Sequence, residues 1–109
     1  MYAQVTFINV PMNQMPRLRD ILETRYLPIV RQRPGFKAGY LLEQIDDADT
    51  AQLVLFWENH AAVENFNRTG SLLASLEGLM VEMPDIQVRR QGYVVQLSAR
   101  ALPVEAVVR

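Results

Sequence analysis

Two apolar runs joined by six polar residues set the strongest constraint on this chain. "FKAGYLLEQ" (36–44) and "AQLVLFWE" (51–58) are rich in aliphatic and aromatic residues, and "IDDADT" (45–50) between them has the composition of a turn. Runs this short with such a joint predict an antiparallel hairpin. A lone hairpin is marginal in water and needs further strands or helices to cover it. The flanking sequence supplies them on both sides.

Upstream, "YAQVTFINV" (2–10) is β-branched and aromatic and predicts a strand that "PMN" stops. Asn13 is the expected cap of a helix whose first turn tolerates Pro16. Leu18, Ile21, Leu22, Tyr26, Ile29 and Val30 keep helical spacing to about Gln32. Pro28 lies inside this pattern and predicts a kink between Thr24 and Pro28. "RPG" ends the helix at Gly35. Downstream, Asn59 is the expected N-cap of a second helix with Val63 and Phe66 one turn apart. A break is expected at Gly70, with Ser71 as a new cap and Leu72, Leu73, Leu76, Leu79 and Met80 turned inward. Pro84 stops that helix. "DIQVRRQGYVVQLSA" (85–99) predicts a long last strand with a bulge or bend at Gly92.

The order β-α-β-β-α-β predicts an α+β fold, the ferredoxin-like plait, with both helices on one face of a four-stranded antiparallel sheet. One domain spans residues 1–109, with its core in 2–97 and an apolar tail at 98–109 expected to dock on a partner subunit. Alternation puts Ala3, Val5 and Phe7; Ala38, Tyr40 and Leu42; and Leu53, Leu55 and Trp57 toward the helices. The other face then carries Gln4, Thr6, Ile8, Leu41, Gln52, Val54 and Phe56. That face is too apolar to stand fully in water, and a second copy of the sheet is its simplest cover. A face-to-face homodimer is the expected assembly.

Composition narrows the function. With no cysteine and one histidine, thiolate sites, a cysteine nucleophile and a His-rich metal centre within one chain are excluded. No metal is expected. A formal net charge of −1 argues against nucleic acid as a partner and against an anionic membrane surface. No basic segment precedes an apolar run at the N-terminus, and no apolar run is long enough for a membrane span, so a cytoplasmic location is expected.

Few residues carry chemistry. Trp57 closes the second hairpin strand and either anchors the core or forms a wall for an aromatic ligand. His60 falls in the first turn of a helix, where the dipole disfavours imidazolium and only Glu64 can orient it. Tyr40 is either a core aromatic or a phenol for a substrate oxygen. Arg89 and Arg90 are adjacent on a strand and point to opposite faces, so one can stabilise an oxyanion while the other pairs at an edge or interface. Asn9, at the end of the first strand, can bond the following turn. "DDAD" (46–49) lacks the spacing of a calcium loop and reads as a turn.

Leu27-Pro28, Arg33-Pro34-Gly35-Phe36, Gly39, Leu41-Leu42, Trp57-Glu58-Asn59 and Phe66 together resemble the antibiotic biosynthesis monooxygenase (ABM) family. The resemblance spans about residues 2–97. It implies a dimeric α/β barrel with a pocket between sheet and helices. In some members it implies oxygenation of aromatic polyketides, quinols or haem without a metal or flavin prosthetic group. The expected pocket walls are Trp57, Phe66 and Phe7, with Asn9, Tyr40 and Arg89 or Arg90 as candidate catalytic groups. Asn9 aligns with an Asn of haem-degrading relatives. The Trp and His that those relatives carry on their second helix correspond to Phe66 and Leu76, which argues against haem degradation.

Two functions follow. One is a cofactor-independent monooxygenase (an oxidoreductase) acting on an aromatic or quinol-type molecule. The alternative is a non-catalytic module that binds a small ligand or serves a stress response. RNA-recognition domains share the topology, but the charge and the residues of the first strand do not suit RNA.

Overall fold

The computed structural model describes residues 1–69 and 76–103. Its elements are β1 (Tyr2–Asn9), α1 (Met15–Ile21), a π-helical turn (Leu22–Tyr26), α2 (Leu27–Val30), β2 (Phe36–Glu43), β3 (Thr50–Trp57), α3 (His60–Thr69), α4 (Leu76–Glu82) and β4 (Gln87–Val94). The strands form one antiparallel sheet in the order β2-β3-β1-β4. This is the expected plait, with β1 and β3 at its centre. The expected break at Gly70, the cap at Ser71, the inward Leu72 and Leu73, and the tail beyond residue 103 lie outside the described residues.

The faces of two strands differ from expectation. β3 behaves as predicted, with Ala51, Leu53, Leu55 and Trp57 buried beneath the helices. Phe36 pairs with Trp57, but Ala38 pairs with Phe56, so Lys37 is one extra residue in β2. A bulge of one residue shifts the alternation by one. It turns Gly39 and Leu41 toward the helices and Ala38, Tyr40 and Leu42 away from them. In β1, Tyr2 pairs with Trp57, Gln4 with Leu55, Thr6 with Leu53 and Ile8 with Ala51. The polar members of β1 therefore face the helices, and Ala3, Val5 and Phe7 face away. Polar-out patterning predicts the reverse. It fails because Gln4 and Thr6 serve a polar cluster inside the molecule.

The first helical stretch accommodates its proline through a π-helical turn between Leu22 and Tyr26. An α-helical Pro28 would collide with the carbonyl of Thr24. Instead, Leu27 N–H bonds back to Leu22 O, five residues earlier, and Pro28 falls in the first turn of α2, where no donor is needed. Asn13 is not the cap. It takes φ 66° in the preceding turn, and Gln14 occupies the cap position without a side-chain bond. Asn59 does cap α3, its Oδ1 accepting the Ala62 N–H at 2.9 Å. Leu79 of α4 and Met83 just beyond its end are buried, whereas Met80, expected inward, is exposed. A step of four residues keeps a side chain on one face, and a step of one rotates it away.

Two glycines fix how elements meet. Gly35 takes φ 82°, and a Cβ there would stand 2.5 Å from Ala62 Cβ, so the end of the first helical stretch and α3 touch through it. Its carbonyl accepts the Glu58 N–H at 2.7 Å. Gly92 makes no bulge, since β1 and β4 pair in unbroken register. It leaves room for the Tyr2 ring.

The core lies between the sheet and the helices. Leu18, Leu22, Tyr26 and Val30 meet Ile8, Leu53, Leu55 and Trp57, with Val63, Phe66, Leu79 and Met83 closing the far side. Glu82 at the end of α4 pairs with Arg25 and, at 3.8 Å, with Arg17, tying that helix to the first helical stretch.

Candidate functional site

The helix-facing side of β1 carries two buried polar residues, Gln4 and Thr6, at 3% and 2% exposure. Buried polar groups persist when something satisfies them. Thr6 Oγ1 accepts from Arg90 Nε at 3.4 Å, and the same guanidinium donates from Nη2 to Tyr26 Oη at 3.3 Å. Gln4 Nε2 donates to Asn67 Oδ1 of α3 at 3.5 Å. A polar line thus crosses the interior from β4 over β1 to the π-helical turn and α3.

Each element has a reason to place its residue there. Arg90 pairs with Thr6 across the β1–β4 ladder, so both lie on one face. Tyr26 ends the π-helical turn, a local widening often found at functional sites. Burial pushes its phenol pKa up, and the nearby Arg90 charge and hydrogen bond pull it part of the way back. The result is a phenol that stays neutral at physiological pH, beside a permanent cation.

Aromatic side chains form the neighbouring wall. Trp57 is fully buried, with Phe36 edge-on at 5.5 Å and Phe66 tilted over it at 5.0 Å between ring centroids. This wall and the polar line share the helix-facing side of the sheet. The arrangement sets an aromatic wall beside a cation and a neutral O–H.

The expected site residues divide between the two faces. Arg90, Trp57 and Phe66 come together under the helices. Phe7 does not join them. It lies on the opposite face beneath Arg89, whose guanidinium carbon is 4.3 Å from the ring centroid. Tyr40 is also on that face, exposed and edge-on to Phe56, because of the β2 bulge. Asn9 is exposed and accepts a hydrogen bond from Thr50 Oγ1 at 2.8 Å, so it braces the sheet edge and does not reach the interior. His60 stacks 5.0 Å from Tyr2 at the surface, 3.5 Å from Glu64. Asp47 in the acidic turn accepts from Thr50 Oγ1 and Asp49 N–H, which lowers its pKa. Among the described residues no group of acidic or histidine side chains is placed to hold a metal.

Gln4, Thr6, Tyr26 and Asn67 are the residues that reasoning from sequence missed as site members. One signal was available for two of them. The first strand of a plait is central, so polar residues at its middle are buried whichever face they take.

The fold and this interior define a class: a small α+β plait with a polar line and an aromatic wall between sheet and helices. The chain belongs to the antibiotic biosynthesis monooxygenase family, whose model matches residues 1–77. Solved structures of the same fold include the haem degrader MhuD from Mycobacterium tuberculosis, at 18% identity and TM-score 0.72 over 92% of this chain and 100% of that one. The cofactor-independent oxygenase SnoaB from Streptomyces nogalater is similar over 89% of this chain and 94% of its own, at 12% identity and TM-score 0.75. A conserved protein from Methanosarcina mazei matches at 10% identity and TM-score 0.67 over 85% and 91% of the two chains. No protein with a curated description matches.

Proposed function

We propose that this protein binds a small phenolic or quinol-type aromatic between its sheet and helices and oxygenates it without a cofactor. The observation that carries the reading is Arg90, bonded to Thr6 and Tyr26 on the same sheet face as the Trp57–Phe66 wall. The substrate supplies the electrons. Once its hydroxyl loses a proton, the electron-rich ring reacts with dioxygen. One oxygen atom replaces a ring hydrogen and ends as a carbonyl, and the other leaves as water. Arg90 holds the developing oxyanion, Tyr26 donates to it, and the aromatic wall orients the ring and excludes water.

Oxygen uptake with a hydroquinone panel tests this reading. Uptake above a heat-killed control, reduced at least tenfold by Arg90→Met, is expected, and no uptake in the wild type overturns the oxygenation. A binding module without turnover is the second reading. It is favoured by one observation: among the described residues no carboxylate or imidazole joins Arg90, Thr6, Tyr26, Gln4 and Asn67. Ligand binding without oxygen uptake would support it.

The second copy of the chain is the proposed partner of the open sheet face. Tyr40, Leu42 and Tyr93 are exposed there, and a cleft of about 710 Å3 opens between Tyr40, Phe56 and Met1 and the segment carrying Val95 and Leu97. Leu97 is 92% exposed. Apolar surface of this kind is normally covered.

A further inference from the structure

Two orphaned polar atoms belong to neighbouring residues on the helix-facing sheet surface. Gln4 Oε1 and Trp57 Nε1 are both buried, and neither has a hydrogen-bond partner among the described residues. Gln4 pairs with Leu55 and Tyr2 with Trp57, so Gln4 and Trp57 are diagonal neighbours on one face. Both are held by consecutive residues of α3. Asn67 takes the Gln4 Nε2 donor, which leaves Oε1 as an acceptor, and Phe66 stacks on the Trp57 ring. An unmade bond on a buried polar group is costly, and one acceptor beside one donor constrains what can relieve both.

We infer that Gln4 Oε1 and Trp57 Nε1 form a subsite for one hydroxyl group of the bound molecule. The hydroxyl oxygen accepts the indole N–H, and the hydroxyl proton is donated to the amide oxygen. A ketone or an ether oxygen accepts from Trp57 but has nothing for Gln4. An ionised oxygen also accepts from Trp57 and is repelled by the Gln4 carbonyl dipole. The subsite therefore selects a neutral alcohol or phenol over the same skeleton bearing a carbonyl, a methyl ether or an oxyanion. Charge is left to Arg90, on the far side of Gln4 along β1 next to Thr6. A molecule with two oxygens is held as a neutral hydroxyl at one end and a reacting oxygen at the other. This inference rests on the proposal that a ligand occupies the space between sheet and helices.

Trp57 is the only tryptophan of the chain, so its emission reports on this subsite directly. The test is calorimetric titration of the full chain at neutral pH with 4-cyanophenol and with 4-methoxybenzonitrile, its methyl ether, while Trp57 emission is followed. The expected result is fivefold or tighter binding of the phenol, with an emission shift. In Gln4→Met, of similar length and shape, that preference should disappear while the ether still binds; near-UV circular dichroism confirms that the variant is folded. Equal affinity of phenol and ether in the wild type overturns the subsite and leaves the pocket standing, the two atoms then being served by structural water. Binding of neither probe, with Trp57 emission unchanged, overturns the pocket and the subsite together.

Discussion

The Tyr2 hydroxyl lies where residue 92 would carry its Cβ: a methyl built on Gly92 would meet Tyr2 Oη at 1.8 Å. The ring of the first strand thus crosses the ladder onto the last, and a glycine is what lets it do so. Gly92→Ala should destabilise the protein by no more than about 1 kcal/mol, because the far end of the Tyr2 side chain can swing outward. The same change in a Tyr2→Leu background should cost much less. Denaturant unfolding of the four proteins of this cycle gives the coupling, and additive effects would contradict the geometry.

Gly35 is constrained twice, by its positive φ and by Ala62, whose Cβ would stand 2.5 Å from a Cβ built on residue 35. Gly35→Ala should cost more than the roughly 1 kcal/mol of an ordinary helix-end glycine. Ala62→Gly should recover only part of the loss, because it relieves the contact and leaves the backbone strain. Full recovery, measured as a return of the urea midpoint, would show that the contact alone matters.

Tyr26 predicts a stability limit at high pH. Burial raises its pKa above the usual value of about 10, so the folded state favours the neutral phenol. That contribution is complete below the unfolded pKa and is lost as pH rises through and above it, since the unfolded chain ionises first. Tyr26→Phe should flatten the decline in stability above about pH 10. Ultraviolet titration should show a late phenol that Tyr26→Phe removes. In Arg90→Met this late phenol should titrate later still, because the charge that partly offset burial is gone.

The open sheet face predicts self-association. Sedimentation at micromolar protein should give a dimer, and Tyr40→Glu with Phe56→Glu should give a folded monomer, because two carboxylates would be buried across the seam. A monomeric wild type would remove the face-to-face arrangement.

The first helical stretch ends at Val30 and Gly35 sits in the turn before β2, whereas the order of elements, the cap at Asn59 and the family were all legible in the chain. Each depends on residues within a few positions of one another, or on the order of motifs. The site was only half legible. Trp57 and Phe66 are buried on the helix side as expected, because β3 alternates strictly and Phe66 lies one helical turn from Val63. Tyr40 was misplaced because the bulge at Lys37 leaves no mark in composition. Phe7 was misplaced because β1 alternates two acceptable patterns, and the polar one turned inward.

The sequence by itself determined which segments become strand and helix, because periodicity, proline and glycine act locally on the backbone. Only the tertiary structure decided which face of each strand meets the helices. That choice depends on the cross-strand register and on a partner for every buried polar group, and both are supplied by residues far away in the chain. Arg90 reaches Thr6 and Tyr26 from 84 and 64 positions away, and that pairing turns β1 over.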